Sequence, residues 1–210
     1  MRAIASLAVK ITEAPWTLSR RDLHDAHSAS LSDEDILHLV ILASYFGHLN
    51  RIADVTGVGL DYQVKLSTPP TDPGVPAWQV APEMLAGRPV IDPARRPASS
   101  AALAEWRKYI FYRDTPLTRR QRTLLARWVA TWLGDGGISP PTDLTVNPHD
   151  EALRTFAELV TLAPWTIGDA QLAPLRATGL DDAGIFDVTA TVTSAGVFSR
   201  IEVALVALGT

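Results

Sequence analysis

Tyr45, His48, Arg51 and Asp54 follow one another at intervals of three residues, with Asn50 beside them. Side chains three and four apart share one side of a helix, so the group has the makings of an acid–base site. His48 would act as general base or acid near neutral pH, and Arg51 would clamp the carboxylate of a substrate. The plainer reading is a polar seam where two helices meet, with Arg51 paired to a carboxylate, and such seams are common in helical proteins. His48, Tyr45 and Arg51 are therefore the candidate catalytic residues.

Other chemistry is sparser. His24 and His27 in "HDAH" would put two imidazoles on one side of a short helix, but no third ligand is identifiable, so a solvated helix face is expected and no metal. Gly134-Asp135-Gly136-Gly137 lacks the Lys-Ser/Thr and the preceding strand of a phosphate loop. The chain of 210 residues has no cysteine, which excludes disulfides, thiolate-ligated metals and every thiol-based reaction with peroxide. We expect no cofactor. Ten basic and three acidic residues lie between Arg88 and Arg127, yet the net charge is −4 and no nucleic-acid module is present, so these cations are expected to pair with acidic helix starts rather than with a polyanion.

The elements that must hold these residues are helices. Sliding the sequence against itself by 149 positions aligns residues 7–60 with 156–209, with 13 of 54 positions identical. Ala14-Pro15-Trp16-Thr17 lies over Ala163-Pro164-Trp165-Thr166. Leu31, Asp33 and Ile36 lie over Leu180, Asp182 and Ile185, and Gly47, Arg51 and Ile52 over Gly196, Arg200 and Ile201. Each copy reads as three helices, the first stopped by proline. Ser19 with Asp22, Ser32 with Asp35 and Thr118 with Gln121 have the spacing of capping boxes, and Asn147-Pro148 offers an N-cap followed by proline at the first helical position.

The long helix from Asp33 to about Thr56 is apolar nearly all round, which predicts burial on most sides. The stretch from Ile185 to Leu208, including the β-branched "FDVTATVTSAGV", is read as a buried helix, since Asp187, Arg200 and Glu202 are costly in a bilayer. Two further helices are expected over 100–112 and 118–133. Trp16, Trp106, Trp128, Trp132 and Trp165 are expected to pack in the core rather than to line an aromatic ligand pocket.

The domain reading is a first helical unit over 1–60, a connection over 61–100 that holds eight of the fifteen prolines, and a body over 101–210 with the middle helices and the second unit. The N-terminal apolar run is too short for a secretory segment, which points to the cytoplasm and away from membranes. A mean hydropathy of +0.08 suggests that a second subunit covers some apolar surface.

The motifs resemble those of the carboxymuconolactone decarboxylase and alkyl hydroperoxidase D-like superfamily, in particular its peroxidase-related branch. The matching residues are Ile11-Thr12-Glu13-Ala14-Pro15, Leu31 to Ile36, and Tyr45-Phe46-Gly47-His48-Leu49-Asn50-Arg51; the second copy keeps Leu162-Ala163-Pro164, Gly179 to Ile185, and Arg200. The stretch "YIFYRDTPLTRRQRTLLARWVATWLGDGG" is similar to the family's lead-in to its active site. The resemblance implies an all-α, AhpD-like helical bundle built from the internal repeat, and it adds a trimer or hexamer to the dimer or larger homo-oligomer expected from the sequence. It also implies a C-x-x-C helix after the lead-in. Here Leu133 is followed by "GDGGISPPTDLTVNP" instead, without either cysteine.

Two functions follow as expectations. One is a degenerate member without thiol peroxidase activity, serving as a non-catalytic binding or scaffold homo-oligomer. The other is a thiol-independent enzyme that applies His48, Tyr45 and Arg51 to a small carboxylate or lactone.

Overall fold

The computed structural model describes residues 2–58, 91–92, 95–136, 138 and 147–208. The fold is all-α: eight α-helices and two 3-10 turns, with no strand among the described residues. The helices are α1 (Arg2–Glu13), α2 (Arg20–Ser28), α3 (Asp33–Thr56), α4 (Pro97–Phe111), α5 (Arg119–Leu133), α6 (Pro148–Leu162), α7 (Asp169–Ala177) and α8 (Asp182–Leu208). Most of the expected 61–100 connection lies outside the described residues. Its last four belong to α4, which starts on Pro97 because proline's fixed φ and missing N–H suit the first helical position.

Local chemistry sets these boundaries. Pro15 and Pro164 end α1 and α6 in matching 3-10 turns, Pro15–Thr17 and Pro164–Thr166, and each threonine hydroxyl bonds back to the preceding alanine carbonyl at 2.7 Å. Ser19–Asp22, Ser32–Asp35 and Thr118–Gln121 form capping boxes, and the Asn147 side chain accepts from the Asp150 N–H. Gly57 and Gly134 close α3 and α5 in the left-handed conformation, with φ of 65° and 73°. The bounds of α2 and α7, and the starts of α3 and α8, are offset by the 149 positions that align the two sequence stretches.

The long helix α8 runs through the middle of the fold, packed by α3, α5, α6 and α4. Val188, Val192, Ala195, Phe198 and Ile201 are buried on it. Leu124, Leu125, Trp128 and Leu133 from α5, and Leu153, Phe156 and Val160 from α6, close around it in one apolar cluster. Two helices, α3 and α8, are long and apolar enough to cross a membrane, and 67% of the α8 stretch is buried in the protein against 28% of the α3 stretch.

That difference overturns one expectation. Helix α3 is not buried on most sides: Leu42, Tyr45, Phe46 and Leu49 are 42%, 43%, 57% and 40% exposed. The positions 149 further on, Thr191, Ser194, Ala195 and Phe198, are at most 5% exposed. The reason is topological. Helix α5 covers α8, whereas among the described residues nothing equivalent lies over the outer side of α3. Tryptophan placement also departs from expectation. Trp128 is in the core and Trp106 and Trp132 are half-buried, but Trp16 and Trp165 are exposed because each sits on a projecting 3-10 turn.

Across the middle of the fold, Arg122 of α5 is fully buried and pairs with Asp187 of α8. The guanidinium also donates to the Arg113 carbonyl at 3.0 Å, the Thr115 carbonyl at 3.1 Å and the Thr191 hydroxyl at 2.9 Å. Burial lowers the arginine's pKa, and the Asp187 charge works against that shift.

Candidate functional site

The three candidate residues lie on α3 but do not converge. Tyr45 and His48 turn toward α4, where their rings meet Trp106. The Tyr45 and His48 rings stack at 6.2 Å, His48 meets Trp106 edge-on at 5.0 Å, and Tyr45 meets Trp106 at 6.0 Å. The seam continues inward: Trp106 contacts Phe198 at 5.3 Å, Phe198 contacts Phe111 at 6.0 Å, and the Arg107 guanidinium lies 5.1 Å over the Phe198 ring. Such edge-to-face contacts match the positive rim of one ring to the negative face of the next. Sequence reasoning treated Trp106 as core filler and did not single out Phe198 or Arg107. The only signal was Phe198 standing in an otherwise small-residue stretch of α8.

His48 is half-buried. Burial pushes its pKa down to about 4, and a hydrogen bond with the Thr193 backbone offsets this only in part. Its Nδ1 has no hydrogen-bond partner, and neither do the buried hydroxyls of Ser44 and Ser194. A neutral imidazole at pH 7 keeps one N–H donor and one acceptor nitrogen, so it is in the form of a base and lacks the imidazolium proton that a general acid near neutral pH gives up.

This shift predicts a pH dependence of stability. Free imidazole titrates near 6.5, so between pH 6.5 and 4 the unfolded chain binds a proton that the folded one refuses. The stabilisation is complete above pH 6.5 and is lost as pH falls toward 4. With the imidazole edge partly solvated, the loss is about 2 kcal/mol. Urea unfolding at pH 7.0 and 4.5 should show that His48→Gln loses less stability than wild type across this interval.

Arg51 points the other way. It donates to the Gly47 carbonyl at 3.0 Å and to the Thr12 and Thr161 carbonyls, at the ends of α1 and α6, at 3.2 and 3.4 Å. Arg200, also buried, donates to the Gly196 carbonyl at 3.1 Å and to Thr12 at 3.2 Å. The expected carboxylate partner for Arg51 is thus replaced by main-chain oxygens. Helix C-termini carry partial negative charge, which partly compensates two cations collected there, and for Arg51 the nearby Asp54 and Glu13 carboxylates add to this. Burial lowers the pKa of both guanidiniums, and for Arg200 the neighbouring Arg51 lowers it further.

The recurrence of glycine four residues before each arginine now has a cause. A Cβ at Gly47 would stand 3.0 Å from Arg51 Nη1, and one at Gly196 would stand 2.6 Å from Arg200 Nη1. Each arginine folds back over its own glycine. Thr12 and Thr161 are themselves identical at the 149 offset, a signal that would have located this cluster from the sequence.

The remaining candidates are separate. His27 Nδ1 lies 2.9 Å from the Leu31 carbonyl and its Nε2 lies 3.2 Å from Asp33, which fixes it as a link between α2 and α3, while His24 is exposed. No group of metal-ligating side chains occurs among the described residues. The basic stretch is engaged within the fold: Arg95 and Arg96 pair with Glu34 at the start of α3, Arg119 with Asp114, Arg120 with Asp150 and Arg122 with Asp187. In comparisons with known proteins, no family model matches the chain, and neither a curated protein nor a solved structure matches it.

Proposed function

We propose that the protein is a non-catalytic binding or scaffold protein, a homo-oligomer of the carboxymuconolactone decarboxylase and alkyl hydroperoxidase D-like type that has lost thiol chemistry and acts in the cytoplasm. The absence of any cysteine carries this reading, because attack on a peroxide and resolution of the sulfenic acid both need thiolates. The placement of Arg51 supports it, since a guanidinium committed to three main-chain oxygens is not free to clamp a substrate carboxylate.

The test is turnover of hydrogen peroxide and of an organic hydroperoxide with dithiothreitol as reductant. The expected rate equals that of buffer. Turnover above buffer that survives removal of contaminating metal would sink the reading.

One observation favours the second function, a thiol-independent acid–base enzyme: the unpartnered Nδ1 of His48 beside Tyr45. Such an enzyme would hydrolyse or decarboxylate a small lactone or carboxylate with a rate that falls below pH 4, where the imidazole gains its proton. His48→Gln would abolish that rate.

A further inference from the structure

Helix α3 presents an outward stripe in the order Leu42, Tyr45, Phe46, Leu49, each at least 40% exposed. The stripe carries no charge. No Asp, Glu, Lys or Arg occurs from Leu39 to Asn50. Its counterparts on α8, Thr191, Ser194, Ala195 and Phe198, are all buried beneath covering helices, while Leu42, Tyr45, Phe46 and Leu49 are half exposed. The exposed area is on the order of 400 Å², within the range of the largest apolar patch on a monomer, where such patches mark interaction sites.

The order of the side chains says what covers it. Leucine, two aromatics, leucine reads the same in both directions, as a two-fold contact between identical helices requires, because residue i must meet residue j and j must meet i. An antiparallel pair centred between Tyr45 and Phe46 sets Leu42 against Leu49 of the second copy and Tyr45 against its Phe46. The same register brings Glu34 level with Gly57. Arg95 and Arg96, held on Glu34, then stand beside the C-terminal turn of the second α3, where the helix dipole is negative.

We propose that α3 is the self-association surface of this protein, joining two copies through an antiparallel contact across Leu42, Tyr45, Phe46 and Leu49. This rests on the homo-oligomer part of the scaffold reading and gives it a location. With about 800 Å² buried in total, the contact belongs with weak, concentration-dependent interfaces.

Sedimentation velocity of the full chain from 1 to 500 μM should show a monomer–dimer equilibrium. Phe46→Asp should raise the dissociation constant at least tenfold while leaving the far-UV circular dichroism unchanged; Leu49→Ser serves the same purpose if the aspartate disturbs folding. Because the wild type has no cysteine, disulfide trapping is clean. Leu42→Cys mixed with Leu49→Cys should give a cross-linked dimer, and Leu42→Cys alone should not. A monomer throughout the concentration range overturns the proposal, as does efficient cross-linking of Leu42→Cys with itself. Flotation of the wild type with anionic vesicles that Phe46→Asp abolishes would assign the stripe to a bilayer and overturn it too. A monomeric wild type with no peroxide turnover would remove this contact and leave the non-redox reading standing.

Discussion

Replacing Asp187 with alanine should lower the unfolding free energy by about 3–5 kcal/mol in urea titrations at pH 7, the cost of leaving a buried charge without its partner. Arg122 is fully buried and receives its countercharge from Asp187 alone among its hydrogen-bond acceptors; the others are the Arg113 and Thr115 carbonyls and the Thr191 hydroxyl. The carboxylate also accepts from the Leu117 N–H at 3.4 Å, so its loss frees a second buried donor. The pair as a whole is less consequential than either half. Arg122→Met combined with Asp187→Leu should recover most of the loss, since a buried ion pair replaced by apolar groups of similar volume is often neutral. A double variant as unstable as Asp187→Ala would show that the interaction specifies the α5–α8 geometry rather than merely neutralising a charge.

Phe198→Ala should cost about 4 kcal/mol, and Leu49→Ala, at the matching position of the first stretch, less than about 1 kcal/mol. Phe198 is 5% exposed and holds three partners at once, Trp106, Phe111 and the Arg107 guanidinium. Its removal opens a cavity and deprives the half-buried Arg107 cation of its aromatic face. Leu49 is 40% exposed and is half in water before any substitution. Removing Phe198 should also loosen Trp106, admit water to His48 and raise the imidazole pKa from about 4 toward 6.5, which NMR titration of the His48 ring would record. Equal costs at the two positions would mean that α3 is as well covered as α8.

The contrast also shows what could be read in advance. Helix positions were legible because proline stops, serine and threonine caps and glycine ends act locally: Asp33–Thr56, Ser32–Asp35 and Asn147–Pro148 fall where the sequence puts them. Which faces are covered was not legible. Leu42 and Thr191 occupy matching positions on helices of similar length, and hydrophobicity alone assigns burial to Leu42, whereas the helix that does the covering, α5, lies over Thr191. The recurrence of Arg51 as Arg200 was legible, yet the partners of neither were, since carbonyl oxygens belong to every residue and carry no sequence signature. Trp106 escaped as the wall of His48 because its contact spans α3 and α4, which lie far apart along the chain.

The central position of α8 has a consequence for how the chain is made. Among the described residues, the helices that pack on α8 precede it in the sequence, so a ribosome makes α1 to α7 before the element that gathers them. Until α8 emerges, Ile36 of α3 and Leu125 of α5 lack the helix that both elements pack against. The nascent chain must therefore wait with its apolar faces open, a period in which holding chaperones would find it.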